Sequence, residues 1–194
     1  MTVRVSALTK RSLRSLCALS CLLTALIASQ AADAPPLEYQ VKAAYLYNFG
    51  KFVAWPPNIA ADKDDSFAIC VMGQDPFGPA LEATVVNHTI DGKGVVAKRV
   101  MNSQEAVSCR ILFISSSENE QLKEILSTVE KAGVLTVSDA PEFSKRGGMI
   151  EFVLEGNKVR FEVNVTNAEK AGLTLSSDLL KVAVAVRRNP QPGV

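Results

Sequence analysis

Apolar and polar positions change period several times along this chain, and each change marks an element. Across residues 37–55 the stripe Val41, Ala44, Tyr45, Asn48, Phe49 and Phe52 recurs at three- and four-residue steps. This predicts a helix stopped by Pro56-Pro57. A polar loop at 58–66 follows, and then residues 67–72 are apolar at every position, as in a strand buried on both faces of a parallel sheet. A turn at 73–78, a short helix at 79–83 and strands at 95–101 and 111–114 come next, the first strand preceded by the turn 91–94. Ser117 with Glu120 three residues on reads as a capping box. It opens a helix whose stripe is Leu122, Ile125, Leu126 and Val129 and which ends near Gly133. Residues 134–137 predict another strand, and 138–141 lead into a single helical turn.

The pattern then shifts to alternation. Segments 149–154 and 158–165, joined by Glu155-Gly156-Asn157, read as an antiparallel hairpin whose second arm sets Val159, Phe161, Val163 and Val165 against Arg160, Glu162 and Asn164. Helices at 166–171 and 177–186 close the chain. The second is capped by Ser176 or Ser177 and ended by Arg187, Arg188 and Pro190. Alternating strands and helices followed by a hairpin predict an α/β fold: a Rossmann-like three-layer sandwich with a mostly parallel central sheet, a C-terminal antiparallel hairpin and flanking helices.

The first 34 residues have a different character. Arg4, Lys10, Arg11 and Arg14 precede an uncharged run from 15 to 29, and small residues then offer cleavage at Ser29-Gln30-Ala31 or Ala32-Asp33-Ala34. A run of about 15 residues falls short of the roughly 20 that span a bilayer. Residues 1–34 therefore read as a cleaved secretory signal peptide and 35–190 as a single domain, placing the mature protein in the periplasm without direct membrane insertion. Cys21 sits too close to Arg14 for a lipid-anchored reading.

Removing the leader changes the charge and the cysteine count. Four of the 21 basic residues lie in it but only Asp33 of the 20 acids, so the remainder carries 17 against 19, a net of −2, with no basic cluster for nucleic acid. Of four cysteines, Cys70 and Cys109 remain. In an oxidising compartment they form a disulfide candidate, closing about 40 residues for roughly 4 kcal/mol by the chain-entropy estimate. The alternative is a pair of buried thiols packing as small apolar side chains. Two cysteines, one histidine and no C-x-x-C leave no metal site.

Catalytic motifs are sparse. His88 is the sole histidine, placed in a turn-rich stretch, and a hydrolase would need it beside Ser115, Ser116 or Ser117 although no G-x-S-x-G elbow exists. The loop 73–78 lacks both the Lys-Ser or Lys-Thr of a phosphate loop and the third glycine of a dinucleotide fingerprint, so no cofactor is expected. In an open parallel sheet, ligands settle beyond the carboxyl ends of the strands, where Gln74, Asp75, Ser115, Ser116, Ser138 and Asp139 would gather. They are candidates for binding a small polar effector; the alternative is that they cap helices. Tyr45, Tyr47 and Trp55 cannot share one helical face with the other aromatics, which leaves a partner or homodimer contact beside core packing.

The order and spacing of Val41-Lys42-Ala43-Ala44-Tyr45-Leu46-Tyr47-Asn48-Phe49, Val53-Ala54-Trp55-Pro56, Cys70-Val71-Met72-Gly73, Gly147-Gly148-Met149-Ile150, Val159-Arg160-Phe161-Glu162-Val163-Asn164, Ala171-Gly172-Leu173 and Ser176-Ser177-Asp178-Leu179-Leu180 resembles the YfiR family. The resemblance runs from about Glu38 to Val186. It implies a small periplasmic α/β protein that is not an enzyme. Such a protein docks on the periplasmic sensor domain of an inner-membrane diguanylate cyclase and represses it, so that cyclic di-GMP and biofilm formation follow periplasmic conditions. It also matches Cys70 and Cys109 to a family cysteine pair. The second pair of some members is missing here, which favours one bridge over a two-bridge redox switch. The competing expectations are a periplasmic small-molecule receptor without an obligate protein partner and, more remotely, a hydrolase using His88.

Overall fold

The strand β2 (Ser66–Met72) organises the molecule, because its alternate side chains are buried on opposite sides of the sheet. Phe67, Ile69 and Val71 join one apolar cluster, while Ala68, Cys70 and Met72 join the other. That is the signature of a strand covered on both faces. The computed structural model describes residues 36–57 and 65–188. The leader and most of the loop expected at 58–66 lie outside them.

Around β2, parallel pairing brings β4 (Lys93–Val100) to one side and β5 (Ile111–Ile114) to the other, followed by β6 (Leu135–Ser138) and β7 (Ile150–Glu155). β8 (Lys158–Asn164) returns antiparallel to β7, while β10 (Ala185–Arg187) and β3 (Thr89–Ile90) form the edges. The eight strands run β10-β8-β7-β6-β5-β2-β4-β3, a mixed α/β architecture with a mostly parallel sheet. On one face, α1 (Leu37–Phe52) packs Leu46 and Phe49 into the cluster that holds Ile69, Phe113 and Phe161, with α2 (Pro79–Val85) beside it. On the other, α4 (Leu122–Glu130) packs Leu122, Ile125 and Val129 against Cys70, Leu112 and Ile114. Short α3 (Ser103–Ala106), α5 (Val165–Lys170) and α6 (Ser177–Val182) complete the helices among the described residues.

Several sequence expectations need correction. The buried stripe of α1 is Lys42, Ala43, Leu46, Phe49 and Gly50, whereas Val41, Ala44, Asn48 and Phe52 are exposed. Apolar residues lie all around this helix, so periodicity alone could not orient it. The helix also stops at Phe52: Val53–Ala54 is β1, which pairs with β9 (Thr174–Leu175).

No capping box forms at Ser117. Its hydroxyl accepts the Gln74 N–H at 2.9 Å and donates to Glu118, so the chain makes a 3-10 turn over Ser116–Glu118 and α4 begins later, at Leu122. Segment 177–186 is not one helix. The β-branched Val184 and Val186 favour extended backbone, and β10 lies parallel to β8 outside the hairpin, which therefore does not end the sheet. The turn 91–94 is tighter than expected, because Asp91 and Gly92 alone connect β3 to β4, both at positive φ.

Residues 141–147 form a run of hydrogen-bonded turns with one helical step, the Arg146 N–H donating to the Glu142 carbonyl at 3.0 Å. The buried Glu151 carboxylate takes the N–H groups of Glu142 and Ser144, each at 2.9 Å, and the Ser144 hydroxyl at 2.8 Å. Those donors are lost to local helix formation. Gly148 lies under the ring of fully buried Phe143, where a Cβ would stand 2.1 Å from Cε1. Gly148→Ala should therefore cost roughly 1–3 kcal/mol, as overpacked cores do. Urea denaturation would show this as a lower midpoint at unchanged slope; an unmoved midpoint would mean that the ring yields freely.

Candidate functional site

Parallel strands deliver their following loops to one edge, and here that edge collects the residues singled out from sequence. Strand order reverses beside β2, with β4 on one side and β5 on the other. Gly73, at φ +84°, turns the chain out of β2 and places Gln74 against Ser117, beyond the end of β5. Asp75 accepts the Phe77 N–H at 2.8 Å through one oxygen and Arg99 Nε at 2.7 Å through the other. Arg99 also reaches Glu82 and the Gly78 carbonyl. Partial burial opposes the charge of this guanidinium, but hydrogen bonds to Glu82 and Asp75 outweigh it and hold the pKa above the ordinary arginine value.

Further along the edge, the Ser115 hydroxyl accepts from Ser117 N–H at 3.4 Å and Ser116 is exposed. The Ser138 hydroxyl donates to the Ile114 carbonyl at 2.7 Å. Asp139 accepts the Tyr39 hydroxyl at 2.9 Å and Lys42 Nζ at 2.6 Å. Lys42 is 2% exposed, also pairs with Glu38, and lies 4.3 Å from the centroid of the Tyr39 ring. Burial first, then the Asp139 carboxylate, pushes the Tyr39 hydroxyl well above its usual pKa, so it stays a donor. The edge is thus assembled, yet its polar atoms are largely engaged with the chain itself. An open cleft of about 240 Å³ remains beside it, lined by Gly73, Gln74, Arg99, Met101, Ser117 and Glu118.

Tyr39, Lys42 and Arg99 were not among the candidate site residues expected from the sequence. A lysine at position 42, next to Ala43 on the face that meets the sheet, was the available sign that a carboxylate waits for it.

The aromatic candidates separate. The Tyr45 ring lies 5.5 Å from Phe161 and 5.9 Å from Phe49, within its own core. Tyr47 meets His88 edge-on at 4.8 Å, with Lys51 Nζ 4.1 Å from its ring centroid. Trp55 packs on Phe67 at 5.3 Å, near the Arg110 guanidinium. Exposed apolar surface gathers elsewhere: Leu37, Val41 and Leu154 line a groove of about 430 Å³ with Lys158 and Val159.

Cys70 and Cys109 form a disulfide with a Cα–Cα distance of 6.0 Å, and both are fully buried. His88 precedes the amino end of β4, whereas Ser115 follows the carboxyl end of the parallel strand β5. Opposite edges of the sheet separate them, and no histidine–serine pair is assembled among the described residues.

Comparison with known proteins adds the following. The sequence profile of the family described as YfiR/HmsC-like matches residues 39–184. A conserved domain protein from Vibrio cholerae is similar in structure, with a TM-score of 0.50, 14% identity, and coverage of 80% of this chain and 61% of that one. The ABC domain from Streptococcus pneumoniae, solved in complex with L-Trp, gives a TM-score of 0.50 at 12% identity and covers 75% of this chain and 60% of its own. The chain thus spans about three fifths of the length of these structures. At such identities the likeness concerns the fold.

Proposed function

Because the chain belongs to the YfiR/HmsC-like family, we propose that it is a periplasmic regulator that docks on the periplasmic sensor domain of an inner-membrane diguanylate cyclase and represses it. The observation that carries this reading is the family match across residues 39–184. The leader at 1–34 would deliver the domain 35–190 to the periplasm and be cleaved there. Repression works by population shift: the regulator binds the inactive arrangement of the cyclase more tightly than the active one, and only that difference in affinity moves the equilibrium. Exposed Leu37, Val41 and Leu154 supply apolar surface of the kind that protein contacts bury. Internal pairing of Asp75, Ser115, Ser138 and Asp139 makes the sheet edge a poorer receptor site than their sequence positions suggested. The separation of His88 from Ser115 supports a role without catalysis.

Deleting the gene should raise cellular cyclic di-GMP, and a His88→Ala copy should restore the low level as well as the native gene does. An unchanged level in the deletion strain would move the reading to a small-molecule receptor. Failure of His88→Ala to complement, with its fold intact, would reinstate an enzyme.

A further inference from the structure

A cleft of about 220 Å³ lies away from the sheet edge, between α4, the turn preceding β7, and α5. Lys123 of α4, Arg146 of the turn and Lys170 of α5 line it, and Glu130 is the acid among its lining residues, an excess of two positive charges. That excess is local, since the chain from residue 35 has a net charge of −2. Lys42, Arg99, Lys145, Lys181, Arg187 and Arg188 each hold a carboxylate. Lys123 and Lys170 form no ion pair among the described residues.

Two features make the cleft more than a meeting of surface lysines. Arg146 is held in place by the side chain of Asn119 and by its carbonyl at 3.2 Å, which leaves further guanidinium N–H groups for a ligand. Thr136, 1% exposed, also lines the cleft. Its hydroxyl accepts the Met149 N–H at 3.3 Å, and its own proton has no acceptor among the described residues. A buried donor without an acceptor is a deficit that a bound oxygen would correct.

We propose that this cleft binds a small phosphate-type dianion. The charge excess matches two negative charges. Donors arriving from three separate elements suit a tetrahedral oxyanion, whose oxygens point in several directions, whereas a planar carboxylate is met by one guanidinium fork. The site stands independently of the docking reading.

Calorimetric titration of inorganic phosphate into the purified mature protein, at neutral pH and with ionic strength held by sodium chloride, tests it. Saturable one-to-one binding is expected. Lys123→Gln with Lys170→Gln should weaken it roughly tenfold or more, while Lys131→Gln with Lys158→Gln, an equal charge change outside the cleft, should leave it unchanged. Thermal melts verify that both variants fold. Independently, amide resonances of Thr136 and Gly147 in the wild-type protein should shift on adding phosphate. Absence of saturable binding, equal weakening in both double variants, resonance shifts confined to other regions, or succinate binding as tightly as phosphate would each overturn the proposal.

Discussion

Replacing Cys70 and Cys109 together by alanine should destabilise the protein by about 4 kcal/mol. The bridge closes a sequence separation of 39 residues, for which the chain-entropy estimate gives roughly that figure. For a domain of this size such a loss lowers the melting temperature by roughly 8–16 °C. The bond ties β2 to the residues just before β5, within the cluster formed by Met72, Ala106 and Leu112. Both sulfur-bearing residues are 0% exposed, so a reductant meets them only when the chain opens. Reductant followed by alkylation should accordingly label neither cysteine in native buffer and both in denaturant. Rapid labelling of the native protein, or a double variant melting with the wild type, would remove the bridge from the list of structural supports and restore it as a redox-sensing candidate.

Lys42→Ala should cost about 3–5 kcal/mol, the usual result of removing one partner from a buried ion pair. Lys42 stands between Glu38 and Asp139, with side-chain exposures of 3%, 34% and 16% respectively. Without the ammonium, Asp139 keeps only the Tyr39 hydroxyl as a donor side chain in this cluster, and two carboxylates face each other with nothing positive between them. Lys42→Met combined with Asp139→Asn removes both charges of the more buried pair and leaves Glu38, 34% exposed, to water, so it should recover most of the loss. Urea denaturation of the single and double variants measures this directly. Additive losses in the pair would show that Lys42 contributes by packing over the Tyr39 and Phe152 rings, in place of pairing with Asp139.

Much of the fold was legible because buried strands and amphipathic helices leave short-range marks. The unbroken apolar run at 67–72 and the stripe of α4 appear as read, and β8 alternates from Val159 to Val163, although Asn164 is buried and Val165 opens α5. Failures came where a distant partner decided the outcome. Ser117 could cap a helix, but the Gln74 N–H reaches it first. Residues 183–186 could extend α6, but β8 offers an open edge on which Ala185–Arg187 pairs. Val41 and Phe52 fit a helical stripe, yet the sheet takes the adjacent face. The candidate site divides in the same way. Gln74, Asp75, Ser115 and Asp139 follow the carboxyl ends of β2, β5 and β6, as parallel strands dictate, whereas Lys42 and Arg99, which pair with Asp139 and Asp75, come from other elements.

Local order and composition were enough for an alternating α/β chain with one cysteine pair and family membership, because periodicity and turn chemistry act over a few residues. Which polar groups satisfy one another, which face of α1 is buried, and where unpaired cations converge depend on contacts between segments as much as 100 residues apart or more, such as Tyr39 with Asp139 and Val53 with Leu175. Those contacts exist only once burial has removed water as the competing partner.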